Sequence, residues 1–146
     1  MPAKTNGGAK ADGSIDRSNW SVDISSTPGV LRCVLRGVLD TEEMRAFVDA
    51  HNRAVDAMNG RDYKVWVDLR EMAPISPEAA ELMAQAKRYS STRANFRGSA
   101  VLVAAATVAL QHRRTSVSGG VMDTELISSD EQECRRHLAS VYRTKV

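Results

Sequence analysis

Trp20, Val22 and Ile24 alternate with polar residues, the period of a half-buried strand. Ser26-Thr27-Pro28-Gly29 reads as a turn. A second strand follows over Val30 to Leu39, where apolar residues interleave with Arg32 and Arg36, so the two form a hairpin. The period then becomes helical. Met44, Phe47, Val48, His51, Val55 and Met58 fall on one helix face, opened by Asp40 with Glu43 three positions on. Gly60 is expected to stop this helix. Tyr63 to Leu69 is apolar on both faces at Val65, Trp66 and Val67, as suits a central strand covered on both sides.

Ser76 and Pro77 open a second helix as N-cap and first helical residue, with Ala79, Leu82, Met83, Ala86 and Tyr89 as its inner stripe. Ala100 to Ala105 is a fourth strand, almost wholly apolar. Thr107 is placed to cap a third helix reaching about Arg114, and Ser118-Gly119-Gly120 breaks it. Glu125 to Ser128 is a short fifth strand. Ser129 and Gln132 then start a last helix with Cys134, Leu138 and Val141 inside. The order is β-β-α-β-α-β-α-β-α, an α/β fold with a mostly parallel central sheet flanked by helices. Residues 1–19 show no period and little apolar content, and are expected to be a flexible tail before one domain over 20–146.

Composition narrows the classes. The chain has 146 residues, 42% of them hydrophobic and 26% charged, enough for one domain with a core. A net charge of +2 does not ask for nucleic acid or an anionic membrane, and 5% aromatics do not favour stacking on single strands. The longest apolar run, Ala100 to Leu110, falls well short of the ~20 residues of a membrane span. With no secretory-type apolar run at the N-terminus, the expected location is cytoplasmic. Cys33 and Cys134 lie in separate apolar segments and read as small buried hydrophobes.

Candidate chemistry is sparse. The first turn of a helix carries unpaired N–H donors and a partial positive charge. The stretch from Val65 to Leu82 joins a strand end to such a turn and is the natural contact site. Its candidate residues are Asp68, Arg70, Pro74, Ser76, Pro77, Glu78 and Glu81. Asp68 reads as a turn or capping carboxylate with Arg70 beside it. His51 reads as a satisfied core histidine. Cys134 and His137, three apart, lack a second pair of ligands, so no metal is expected. Lys87, Arg88, Arg93 and Arg97, with His112, Arg113 and Arg114, would form a positive patch if their loops converged. There is no G-x-S-x-G, P-loop or G-x-G-x-x-G, and no cofactor is expected.

Several of these motifs together resemble the STAS domain, the fold of bacterial anti-sigma factor antagonists. Gly37-Val38-Leu39-Asp40 is similar to that family's G-x-L-D strand end, and Val65 to Arg70 to its central strand. Ile75-Ser76-Pro77-Glu78-Ala79 stands where the family has I-D-S-S-G, the segment with the regulatory phosphoserine. The resemblance runs from Trp20 to Tyr142. Glu78 stands at the phosphorylated position, Pro77 at the serine before it, Ala79 at the glycine after it and Ser76 at the aspartate. The chain therefore resembles a divergent member, with a fixed carboxylate where the family carries its phosphate. Glu78 reads either as a permanent mark on a switch or, more plainly, as a good first-turn residue.

The resemblance implies a non-catalytic regulatory module binding another protein, an anti-sigma factor or kinase-like regulator, through the loop and N-terminus of the second helix. The alternative is a small-ligand or lipid-binding domain, with an apolar pocket lined by residues such as Met44, Phe47 and Met83. An enzyme would need converging polar groups that the sequence does not assemble. A homodimer stays open.

Overall fold

Residues 8–9 and 14–143 are described by the computed structural model. Its elements are β1 (Gly8–Ala9), β2 (Ile15–Asp16), β3 (Trp20–Asp23), β4 (Val30–Gly37), α1 (Thr41–Ala57), β5 (Tyr63–Met72), α2 (Pro77–Ser91), β6 (Phe96–Val103), α3 (Ala106–Gly119), β7 (Glu125–Ser128) and α4 (Glu131–Arg143). All seven strands form one sheet, in chain order. The pairs from β1 to β4 are antiparallel, and those from β4 to β7 are parallel. From Trp20 onward this is the β-β-α-β-α-β-α-β-α order that the sequence predicts.

Strand order decides where the helices go. A right-handed crossover moves to the same side at every step when the order never reverses. So α1, α2 and α3 share one face of the sheet. The main core lies beneath them, from Leu31, Cys33 and Leu35 of β4 through Val65, Val67 and Leu69 of β5 to Val101 and Val103 of β6. The alternate residues of the same strands face the other way. There α4 packs Cys134, Leu138 and Val141 onto Trp66, Ala100 and Leu102. The Cζ atoms of Arg32 and Arg135 lie 5.6 and 5.7 Å from the Trp66 ring centre. Beyond α4 the second face is half-buried, with Ser21 on β3 and Arg32, Val34 and Arg36 on β4.

The local signals mostly hold. Asp40 and Glu43 make the expected capping box on α1, each side chain taking the other's backbone N–H. Asn59, with φ 55°, takes the left-handed position just past the helix, and Gly60 follows it at φ 81°. The third helix departs from expectation. It begins at Ala106 with no side-chain cap, so Thr107 lies inside it, and it runs to Gly119. On α4 the capping carboxylate is that of Asp130, which accepts from the Gln132 N–H at 2.9 Å, in place of Ser129.

The expected tail needs correction over residues 14–19. Ile15 pairs with Val22 of β3 and is 8% exposed, and Ser14 Oγ accepts the Ile24 N–H at 3.0 Å. A single isoleucine among polar residues carries no readable period. The open edge of β3 supplies unpaired backbone groups that only the folded sheet presents. Gly8–Ala9 pairs in turn with β2. The remainder of that stretch, 1–7 and 10–13, lies outside the described residues.

A buried polar cluster joins α2, α3 and β7. Lys87 Nζ donates to Glu125 Oε1 at 3.0 Å, to Ser116 Oγ at 2.7 Å and to the His112 carbonyl at 3.3 Å. Glu125 also accepts from Ser99 Oγ at 3.1 Å and from Ser116 Oγ. Both charged side chains are almost fully buried, at 8% and 3% exposure. Burial pushes the Lys87 ammonium down to about 8, with Glu125 opposing it, so it stays mostly charged at neutral pH. Gly119 makes the close approach of α3 to α2 feasible, because a Cβ there would sit 2.4 Å from Lys87 Cβ. Lys87→Ala leaves the Glu125 carboxylate buried without its cation. The expected loss is about 3–5 kcal/mol, read as a lowered urea midpoint. Lys87→Met with Glu125→Leu should recover most of it.

Candidate functional site

The turn into α2 is built as its residues dictate. Ser76 adopts the extended N-cap conformation, and its Oγ accepts the Ala79 N–H at 3.1 Å. Pro77 takes the first helical position, where its missing N–H costs nothing. Pro74, Ser76, Pro77, Glu78 and Glu81 are all exposed, while Ala79 and Met83 anchor the helix in the core. Glu81 pairs with Arg88 across the surface at 2.8 Å.

The loop before α2 is fixed by a residue that the sequence did not single out. Gln111 of α3 accepts the Ile75 N–H at 2.9 Å and donates to the Ile75 carbonyl at 2.7 Å. One amide side chain thus satisfies both backbone groups of the loop residue. No local signal marks Gln111, because the contact spans 36 residues. Between α2 and α3 lies an open groove of about 280 Å³, lined by Pro77, Ala80, Ala84, Arg114 and Ser118 among others.

The seven candidate residues do not form one surface. Asp68 and Arg70 lie on the sheet face that carries Trp66 and α4. There Asp68 takes the Arg70 guanidinium at 2.8 and 3.1 Å, and Arg70 reaches Glu131 of α4 at 3.6 Å. The Arg70 hydrogen bonds and charge lower the Asp68 pKa against the opposing effect of burial. Pro74, Ser76, Pro77, Glu78 and Glu81 belong to the opposite layer. A strand alternates its side chains between faces, so positions 68 and 70 part from the helix that follows them.

The basic patch does not assemble. Lys87 and His112 are buried, Arg88 is held by Glu81, and Arg97 by Asp62 at 3.1 Å. Arg93 lies over the Tyr89 ring at 4.0 Å. Arg93, Arg113 and Arg114 are exposed without an acidic partner among the described residues, and of these Arg93 is held on Tyr89.

Two histidines lie under the helical layer, beside a cavity of about 30 Å³ that Phe47 and Met83 also line. That is room for about two waters. His51 bonds to Asn52 Oδ1 at 2.8 Å and to Ser90 Oγ at 3.3 Å, and Ser90 accepts from the Tyr63 hydroxyl. His112 Nε2 is buried with no hydrogen-bond partner among the described residues. Burial lowers both imidazole pKa values, and Lys87 lowers that of His112 further. Burial also raises both thiols, Cys33 and Cys134, and neither forms a disulfide. His137 Nε2 lies 3.0 Å from the Thr124 carbonyl oxygen, and Cys134 Sγ lies 3.8 Å from that of Val101. Among the described residues no three His, Cys, Asp or Glu side chains gather as a metal site needs. None of the described helices is long and apolar enough to cross a membrane.

With this geometry in hand, comparison with known proteins is informative about the fold. No protein-family model matches the sequence, and no curated protein matches it. Among solved structures, it is similar to an uncharacterized protein of the DUF3478 family from Shewanella loihica PV-4, described as having a SpoIIAA-like fold. The TM-score is 0.59 at 12% identity, over 81% of this chain and 92% of that one. The fold is SpoIIAA-like. It is the STAS-like arrangement that the strand-end and loop motifs resemble, reached by a divergent sequence.

Within this STAS-like frame, Gln111→Ala should free the loop before α2. Exchange at the Ile75 amide should quicken, with a stability loss of about 1–3 kcal/mol for two stranded backbone groups. The buried imidazoles set an acid limit. The unfolded chain takes up their protons below about pH 6.5, which the fold resists. Stability is therefore full above that pH. It falls as pH drops through it, by up to about 1.4 kcal/mol per pH unit for each histidine. Urea unfolding across a pH series checks this, and His112→Leu should flatten the slope.

Proposed function

We propose that this chain is a non-catalytic regulatory module that binds another protein through the loop before α2 and the first turn of α2. The observation that carries this reading is the build of that turn. Pro74, Ser76, Pro77, Glu78 and Glu81 stand exposed on a helix start whose loop is clamped from behind by Gln111. A rigid, exposed element with its ordering cost already met is suited to recognition. The resemblance of Ile75 to Ala79 to the regulatory segment of anti-sigma factor antagonists points the same way. It suggests an anti-sigma factor or kinase-like regulator as partner.

Topology and volume favour this reading over its rivals. The strand order never reverses, so the sheet has no switch-point crevice of the kind that holds ligands in doubly wound folds. The cavity lined by Phe47 and Met83 has about 30 Å³, against the ~300–1,000 Å³ of ordinary ligand pockets. That size disfavours a lipid or small ligand at that apolar site. The Ser76 hydroxyl is engaged as a cap, and Glu78 supplies a fixed negative charge to the helix start.

The test is affinity capture with the wild-type chain and with the double variant Glu78→Arg, Glu81→Arg. A specific partner should be retained by the wild type and reduced at least about tenfold by the variant, which should stay folded with a loss of no more than about 2 kcal/mol from the reversed first-turn charge and the broken Glu81–Arg88 pair. The same partners recovered by both forms, or a co-purified small molecule seen by native mass spectrometry, would refute the proposal.

A further inference from the structure

α3 is apolar on two sides. Val108 and Ala109 face the core, yet Leu110 and Val117 on the outer side are 49% and 61% exposed. They stand seven residues apart, roughly 10.5 Å along one helix face. Between them lie Arg113 and Arg114, both exposed. The helix holds no acidic residue, and neither arginine has a carboxylate partner among the described residues. Among the described residues other exposed arginines, such as Arg45, Arg53 and Arg136, also lack a carboxylate, but Arg113 and Arg114 are the two that lie between exposed aliphatic side chains on one helix face. Arg114 also forms one wall of the groove between α2 and α3.

We infer that the outer face of α3 is a docking surface for an acidic amphipathic helix of a partner protein. Two aliphatic side chains one heptad apart match the apolar spacing of a helix laid alongside them. The unpaired arginines between them call for carboxylates on that helix. A second copy of this chain fits poorly. A two-fold axis through this stripe, with the helices parallel or antiparallel, brings Arg113 and Arg114 against their own counterparts, and like charges so placed are unfavourable. The surface meets the α2 turn at the groove between α2 and α3, whose other wall holds Pro77 and Glu81, but its assignment does not rest on the reading above.

A synthetic helical peptide tests this, with leucines seven residues apart and two glutamates between them. Its twin carries lysines in place of the glutamates. Fluorescence anisotropy should show the acidic peptide binding at least about tenfold more tightly than the twin, with affinity falling as salt rises. Leu110→Ser with Val117→Ser should abolish binding, and Arg113→Glu with Arg114→Glu should reverse the preference. Glu78→Ala should keep the affinity within about twofold, which separates this surface from the α2 turn. Equal binding of both peptides overturns the inference. So does a wild-type dimer in sedimentation that Leu110→Ser dissociates, or binding to phosphatidylglycerol vesicles without binding to the peptide.

Discussion

Because β4, β5, β6 and β7 lie in the sheet in the order in which the chain makes them, every crossover falls on the same side. Three helices must then pack in one layer, edge to edge, over a single face. That crowding is met by small residues where α2 and α3 touch, with Gly119 against Lys87 and Ala84. It also carries the lysine side chain into the interior, where Glu125 from the last strand neutralises it. The ion pair follows from the topology, since a cation on α2 and an anion on β7 meet only if α3 lies close above both.

The opposite face follows a different logic. No crossover covers it, so it would stand open without α4. That helix leaves β7 at the edge of the sheet and turns back across β6 and β5. Its cluster extends over Trp66 to Val30 at the start of β4. The remainder of the face, over β3 and β4, is left to long side chains. The Arg32 guanidinium lies over the Trp66 ring and shields it.

Much of this was legible in the sequence, for reasons that can be named. β7 matches its expected bounds residue for residue, and the Asp40 and Ser76 caps are where their side chains imply. Those signals are local, each set by a few neighbouring residues. What escaped is non-local. Ile15 joins the sheet through an edge that exists only after folding. Gln111 acts on a residue far away in sequence. Lys87 and His112 looked like surface cations, because helical spacing alone does not say how deeply a helix sinks against its neighbour. At the candidate site, the helix start was readable but the grouping was not. Asp68 and Arg70 are close to Ser76 along the chain, yet the pleat turns them to the far side.

The Gln111 clamp limits how the loop can be read. Ile75 spends its own donor and acceptor on a side chain of the same molecule, so at that residue a visiting strand finds no main-chain rung on which to register. What the loop presents outward is therefore the side chains of Pro74, Ser76 and Glu78. The vocabulary of this loop is written in side chains, and a change of one residue there can alter the displayed surface without reshaping the backbone that carries it.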